Sequence, residues 1–132
     1  MTAIYIGIII GILCILTINS SKNFDNPLMY GLVLTGIGFI YVGFTWSNIP
    51  ALLFCATQAV LFVFLAYYGI KKNLFILAAG YYLHGIWDLI YHVFPGSNLI
   101  PPHYDLFCMA ADFTIGTYII FAKIYFSDKM KI

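Results

Sequence analysis

The sequence contains no arginine and no glutamate: its six basic residues are all lysine and its five acidic residues all aspartate. Charged residues make up 8% of the 132-residue chain, against roughly 25% in a soluble domain. That shortage excludes a water-facing globule, because large apolar patches would stay exposed and drive association. A net charge of +1 gives no electrostatic hold on a polyanion, so no nucleic-acid partner is expected. Cysteine is sparse too. Cys14, Cys55 and Cys108 are scattered, with no CxxC pair. This argues against a dithiol oxidoreductase and makes Cys14 and Cys55, and more weakly Cys108, small packing residues by default.

What the chain has instead is apolar length. Hydrophobic residues make up 63% of it, gathered into stretches near the roughly 20 residues that cross a hydrocarbon core about 30 Å thick. Five such spans are expected, at about 2–18, 27–46, 50–70, 74–94 and 104–126, separated by Asn19-Ser20-Ser21-Lys22, Ser47-Asn48, Lys71-Lys72-Asn73 and Pro95-Gly96-Ser97-Asn98. The lysines test the count independently. Lys22, Lys71, Lys72, Lys123, Lys129 and Lys131 all fall on one side of a five-span chain, and a four-span chain would scatter them. The positive-inside rule makes that side cytoplasmic. The expected fold class is therefore an all-α integral membrane protein: one domain, a five-helix bundle with the amino terminus outside and the carboxyl terminus in the cytoplasm. The first span lacks a basic n-region and an A-x-A-like site, so it reads as a retained helix rather than a cleaved signal.

Short connections make spans two and three, and three and four, antiparallel neighbours. Gly7 and Gly11 form a G-x-x-x-G step, and Gly31 and Thr35 a similar one, of the kind that lets helix backbones approach closely in lipid. Each is read first as a contact within the chain and second as a homodimer seam. Membrane lipids are the other expected partner. Trp46, Tyr91 and Tyr104 suit the outer interface, and Tyr30, Tyr67, Tyr68 and Tyr125 the inner one.

Polar side chains concentrate late in the chain. All three histidines and three of the five aspartates lie between positions 84 and 112: His84, Asp88 and His92 on span four, His103 and Asp105 before or at the start of span five, and Asp112 within it. An aspartate near a membrane helix centre costs about 2.5–3.5 kcal/mol on insertion scales, so partners, water or a metal must offset it. At 1.5 Å per residue, Asp88, Asp112 and Gln58 each fall roughly 9–10 Å below the outer ends of their helices. Residues four apart share a helix face, so His84, Asp88 and His92 form one stripe and Asp105, Cys108 and Asp112 another.

The expected metal-ligating set is His84, Asp88, His92, Asp105 and Asp112, with Asp88 and Asp112 as catalytic carboxylates. A deep group of His84, Asp88 and Asp112 is separate from a shallow one of His92, Asp105 and His103, because His84 and His92 lie about 12 Å apart along a straight helix. Imidazole and carboxylate suit a divalent Zn, Fe or Mn ion better than Cu(I). Beside these readings stand plainer ones: Asp105 as a helix-capping charge, His103 as a solvated loop residue, Gln58 as interhelical glue, and the deep group as a structural hydrogen-bond cluster. Functionally the pattern points to a metal-dependent enzyme on a lipid or other membrane-soluble substrate. The alternatives are proton- or cation-coupled transport through Asp88 and Asp112, or a structural membrane subunit. Against transport, no polar stripe is evident in the cytoplasmic half.

The segment His84 to His92, followed by Pro102-His103-Tyr104-Asp105 and by Cys108-x-x-x-Asp112, resembles a family of small bacterial polytopic membrane proteins of unknown function. The resemblance covers the last third to half of the chain. It implies a shared site and a place in the bacterial cytoplasmic (inner) membrane, and carries no activity with it.

Overall fold

The computed structural model describes residues 2–20, 26–94 and 97–125, without the side chains of His92 and Ser97. These residues form five α-helices and no strand: α1 (Thr2–Ser20), α2 (Asn26–Phe44), α3 (Ile49–Lys71), α4 (Leu74–Ile90) and α5 (Tyr104–Tyr125). Two short 3₁₀ turns, Tyr91–Val93 and Ser97–Leu99, lie between α4 and α5. Four of the helices, α1, α2, α3 and α5, are long and apolar enough to cross a membrane. Lys22, Lys129 and Lys131 fall outside the described residues, as does Phe126, the expected last residue of span five.

Local sequence explains the helix ends. Asn48 caps α3, its side chain accepting from the Ala51 N–H at 3.3 Å, and Pro50 sits in the first turn, where a missing N–H costs nothing. Asn73 caps α4 in the same way, accepting from the Phe75 N–H at 2.9 Å. The expected spans agree with the helices to within about two residues, except at the end of span four. There α4 stops at Ile90 rather than 94 and tightens into the 3₁₀ turn. Its 17 residues make about 25 Å of α-helix, and the turn adds roughly 6 Å, so the two together match one bilayer crossing.

The glycine step on α1 is used inside the chain. A Cβ on Gly7 would strike the Phe107 carbonyl oxygen, and one on Gly11 would lie 3.0 Å from Thr114 Cβ and 3.2 Å from the Ala111 carbonyl oxygen. Because residues 7 and 11 meet 107 and 111 in rising order, α1 runs parallel to α5. Helix α5 lies between α1 and α4, and α4 also packs on α3, which packs on α2. Gly31 abuts Ile70 across the α2–α3 seam, again a contact within the chain. Lys71, Lys72 and Lys123 thus share one end of the bundle, called here the lysine end.

The outward faces fit hydrocarbon. On α1 the buried residues are Gly7, Gly11, Ile15 and Ile18, one stripe at helical spacing. Tyr5, Leu13 and Leu16 remain 60%, 52% and 60% exposed, and a helix apolar all round needs lipid or protein on every side. The core below is filled by Tyr30, Leu34, Phe62, Leu77, Tyr81, Ile115 and Ile119. Gln58 donates from Nε2 to the Gly38 carbonyl at 2.7 Å, tying α3 to α2 as interhelical glue.

Polar groups also gather at the lysine end, which the sequence pattern did not reveal. Tyr81 donates to the Tyr30 carbonyl at 2.6 Å. Asn19 receives the Tyr30 hydroxyl at 3.4 Å and the Asn26 amide at 3.0 Å, and itself donates to the Tyr118 hydroxyl.

Candidate functional site

Helices α4 and α5 bring four side chains together. His84 and Asp88 stand one turn apart on α4, and Cys108 and Asp112 one turn apart on α5. Burial follows from the small residues around them: Gly85 receives the Phe113 ring, and Gly116 lies under Tyr81 and Tyr82, so the two helices approach closely. His84 and Asp88 are 1% exposed and Asp112 is 0% exposed. One potential ligand atom from each of the four residues lies within 4.8 Å of all the others, the one such group among the described residues.

The geometry within the group is unequal. His84 Nδ1 lies 2.7 Å from Asp112 Oδ2 and 3.4 Å from Asp88 Oδ2. The Cys108 thiol donates to Asp112 Oδ2 at 3.9 Å. A single imidazole proton on Nδ1 can satisfy Asp112. It leaves both oxygens of Asp88, Oδ1 of Asp112 and Nε2 of His84 buried without a hydrogen-bond partner among the described residues. Buried carboxylates in this state are costly unless extra protons or a cation complete them.

The donor types of this cluster are ones that divalent ions take. Tetrahedral zinc holds nitrogen and oxygen at about 2.0–2.1 Å and sulfur at about 2.3 Å, which places neighbouring donors roughly 3.3–3.5 Å apart. The His84–Asp88 separation of 3.4 Å already matches. The His84–Asp112 pair would open by about 0.6 Å to meet the same geometry.

Above Asp88, at the end away from the lysines, lies a cavity of about 180 Å³ lined by Tyr41, Asp88, Tyr91, Ile100, Pro101, Pro102, His103 and Asp105. Its wall is aromatic. Tyr41 stacks on Tyr91 at 4.9 Å between ring centroids, and Tyr91 lies 5.2 Å from the Trp87 ring. The Tyr41 hydroxyl lies toward Asp88 but is buried without a well-formed hydrogen bond. His103 turns the chain into α5 with a left-handed backbone, φ 63°, and its carbonyl accepts from the Phe107 N–H at 3.2 Å.

The deep group expected from sequence is therefore assembled: His84, Asp88 and Asp112 meet. The shallow group is not part of it. Asp105 sits in the first turn of α5, accepts from the Leu106 N–H at 2.9 Å and lines the cavity. His103 lines the cavity as well. The His92 side chain lies outside the described residues; its backbone is in the 3₁₀ turn that follows the end of α4 at Ile90. Cys108, read from sequence as packing, belongs to the four-residue group. Its signal was its place four residues before Asp112. Tyr41 was not foreseen, because nothing marks it out within the apolar run of α2.

No curated protein and no solved structure matches the chain. Residues 2–124 match the family of unknown function DUF6010, and the chain belongs to that family.

Proposed function

We propose that the chain is a metal-dependent enzyme of the bacterial inner membrane, acting from the outer face on a lipid or other membrane-soluble substrate. His84, Asp88 and Asp112 are the proposed ligands of a divalent Zn, Fe or Mn ion. The observation that carries this reading is the unsatisfied group itself: two buried carboxylates converge on one imidazole nitrogen, and three of their four oxygens have no hydrogen-bond partner. The cavity ending on Asp88 supports it further, since three protein ligands with an open position is the catalytic arrangement and a closed set of four the structural one.

When bound, the ion would polarise a substrate oxygen or make a water molecule a better nucleophile. The chain's residues do the rest. Asp112 and His84, held 2.7 Å apart in the metal-free arrangement, would orient each other across the ion. Asp88, on the cavity wall, holds a free carboxylate oxygen where it can take a proton from an incoming water and return it to a leaving group. The core below excludes water from the far side.

The test is elemental analysis of the detergent-purified protein beside His84→Ala and Asp88→Ala, with helicity and thermal stability recorded for each. Near-stoichiometric metal, lost in both folded variants, is expected. Metal-free wild-type protein that retains its fold would overturn the mechanism.

A further inference from the structure

We propose that the cavity above Asp88 is a subsite for a protonated amine, and that it disfavours phosphate. The starting point is where positive charge is missing. The chain has no arginine, and Lys71, Lys72 and Lys123 lie at the opposite end of the bundle. Among the described residues, the cavity wall carries two carboxylates, Asp88 and Asp105, and one imidazole, His103, with no lysine or arginine. Phosphate recognition uses guanidinium, ammonium or helix-terminal N–H groups, and the first N–H groups of α5 are approached by the Asp105 carboxylate itself. An ion held by Asp88 and Asp112 would be neutralised by those two charges, which leaves no surplus to hold a phosphate.

The same wall matches a cation. Asp88 is 1% exposed, lines the cavity and has neither oxygen hydrogen-bonded. The Tyr41 hydroxyl beside it is also unpartnered. With the Asp88 charge engaged by an ion, the Asp105 carboxylate and the Tyr41 hydroxyl on the same wall are left to receive the donors of a primary ammonium. The stacked Tyr41 and Tyr91 rings supply aromatic surface of the kind that attracts organic cations, with Asp105 adding charge at the wall. At about 30 Å³ per water, the cavity of about 180 Å³ has the room of roughly six waters, enough for an ethanolamine-sized group.

The inference rests on the reading of Asp88 as part of the reaction centre, because the amine is then the recognised end of the substrate. Its test does not need catalysis or metal. Full-length protein in phosphatidylglycerol nanodiscs, after dialysis against a chelator, is titrated with ethanolamine, the neutral isostere ethylene glycol and ethyl phosphate. Trp87 fluorescence reports binding, in a Trp46→Phe background. Saturable binding of ethanolamine alone is expected, weakened about tenfold or more in Asp105→Asn, as loss of one charge-assisted contact implies, and retained in Asp105→Glu. Tyr41→Phe should weaken it as well. Repeating the titration in nanodiscs containing phosphatidylethanolamine separates the sources: competition points to a lipid headgroup, and none to a free amine. Binding of ethyl phosphate or ethylene glycol as tight as that of ethanolamine, or an Asp105→Asn protein that binds like wild type, would overturn the proposal. Failure here with metal still bound leaves the enzyme reading standing. Amine binding in a protein that never takes up metal removes the enzyme reading instead.

Discussion

Removing His84 separates a metal centre from a structural cluster, because the two give opposite responses to a chelator. In the folded chain one imidazole stands 2.7 Å and 3.4 Å from two carboxylates that are essentially inaccessible. His84→Ala leaves those carboxylates facing a void. Breaking a buried charged pair by deleting one partner costs about 3–5 kcal/mol, so the variant should be destabilised on either reading. The chelator adds the decisive comparison. A metal present at 100 times its dissociation constant stabilises the folded state by about 2.7 kcal/mol. Wild-type protein should therefore lose about that much when the ion is stripped, and His84→Ala, which holds none, should lose nothing. A triple variant, His84→Leu with Asp88→Leu and Asp112→Leu, should be at least as stable as the stripped wild type, since buried ion pairs are often matched by apolar residues. Unfolding in a mixed-micelle denaturant titration, followed by fluorescence with and without chelator, gives all six values. A chelator-insensitive wild type that is also more stable than the triple variant would refute the reasoning and make the cluster a structural hydrogen-bond network.

Other expectations follow from individual contacts. Gly7→Leu should cost about 1–3 kcal/mol by overpacking, because its Cβ would meet the backbone of α5; thermal denaturation measures it, and no loss would mean that α1 does not seat on α5. Gln58→Leu removes one interhelical hydrogen bond and should cost about 0.6 kcal/mol, the average for such bonds in lipid, with metal content unchanged by elemental analysis. Cys108→Ser should keep its metal and Cys108→Ala should bind it about 10–100-fold more weakly, the range for groups that orient a ligand from behind; a thiolate-to-metal charge-transfer band in the cobalt-substituted wild type would instead make Cys108 a ligand. For topology, Asn98→Cys should react with an impermeant maleimide applied outside intact cells and Lys72→Cys should not, and the reverse pattern would invert the orientation.

The parts of this fold that were legible in the sequence are those governed by one-dimensional spacing. Apolar length located the helices, and positions four apart on continuous helix placed His84 beside Asp88 and Cys108 beside Asp112. His92 shows where the rule stops. Spacing of four places side chains only along continuous α-helix, and the change to a 3₁₀ turn at Tyr91 takes position 92 out of that regular spacing. Tyr41 shows a different limit. Its role comes from α2 lying against the outer part of α4, where it stacks on Tyr91, and a tyrosine in an apolar run carries no trace of its neighbours. The Gly7 step was legible as a close approach, but its partner helix could be read only from the packed structure.

The choice between an enzyme and a transporter turns on whether polar groups continue through the bundle. On the far side of the core, Tyr81, Tyr30, Asn19, Asn26 and Tyr118 do form a hydrogen-bonded set at the lysine end, which at first sight extends a path inward from Asp112. The link from Tyr81, however, ends on the Tyr30 backbone carbonyl. A carbonyl oxygen accepts a hydrogen bond but has no proton to hand on, so the set cannot serve as a relay in the described arrangement. Leu34, Leu77, Ile115 and Ile119, all buried, fill the space around it. The cavity lies on the side of the site away from this set, bordered by Tyr41, Asp88, Tyr91 and Asp105. On the proposed enzyme reading, substrate would enter and product leave by the mouth of that cavity, whereas a transport reading needs a second arrangement of these helices.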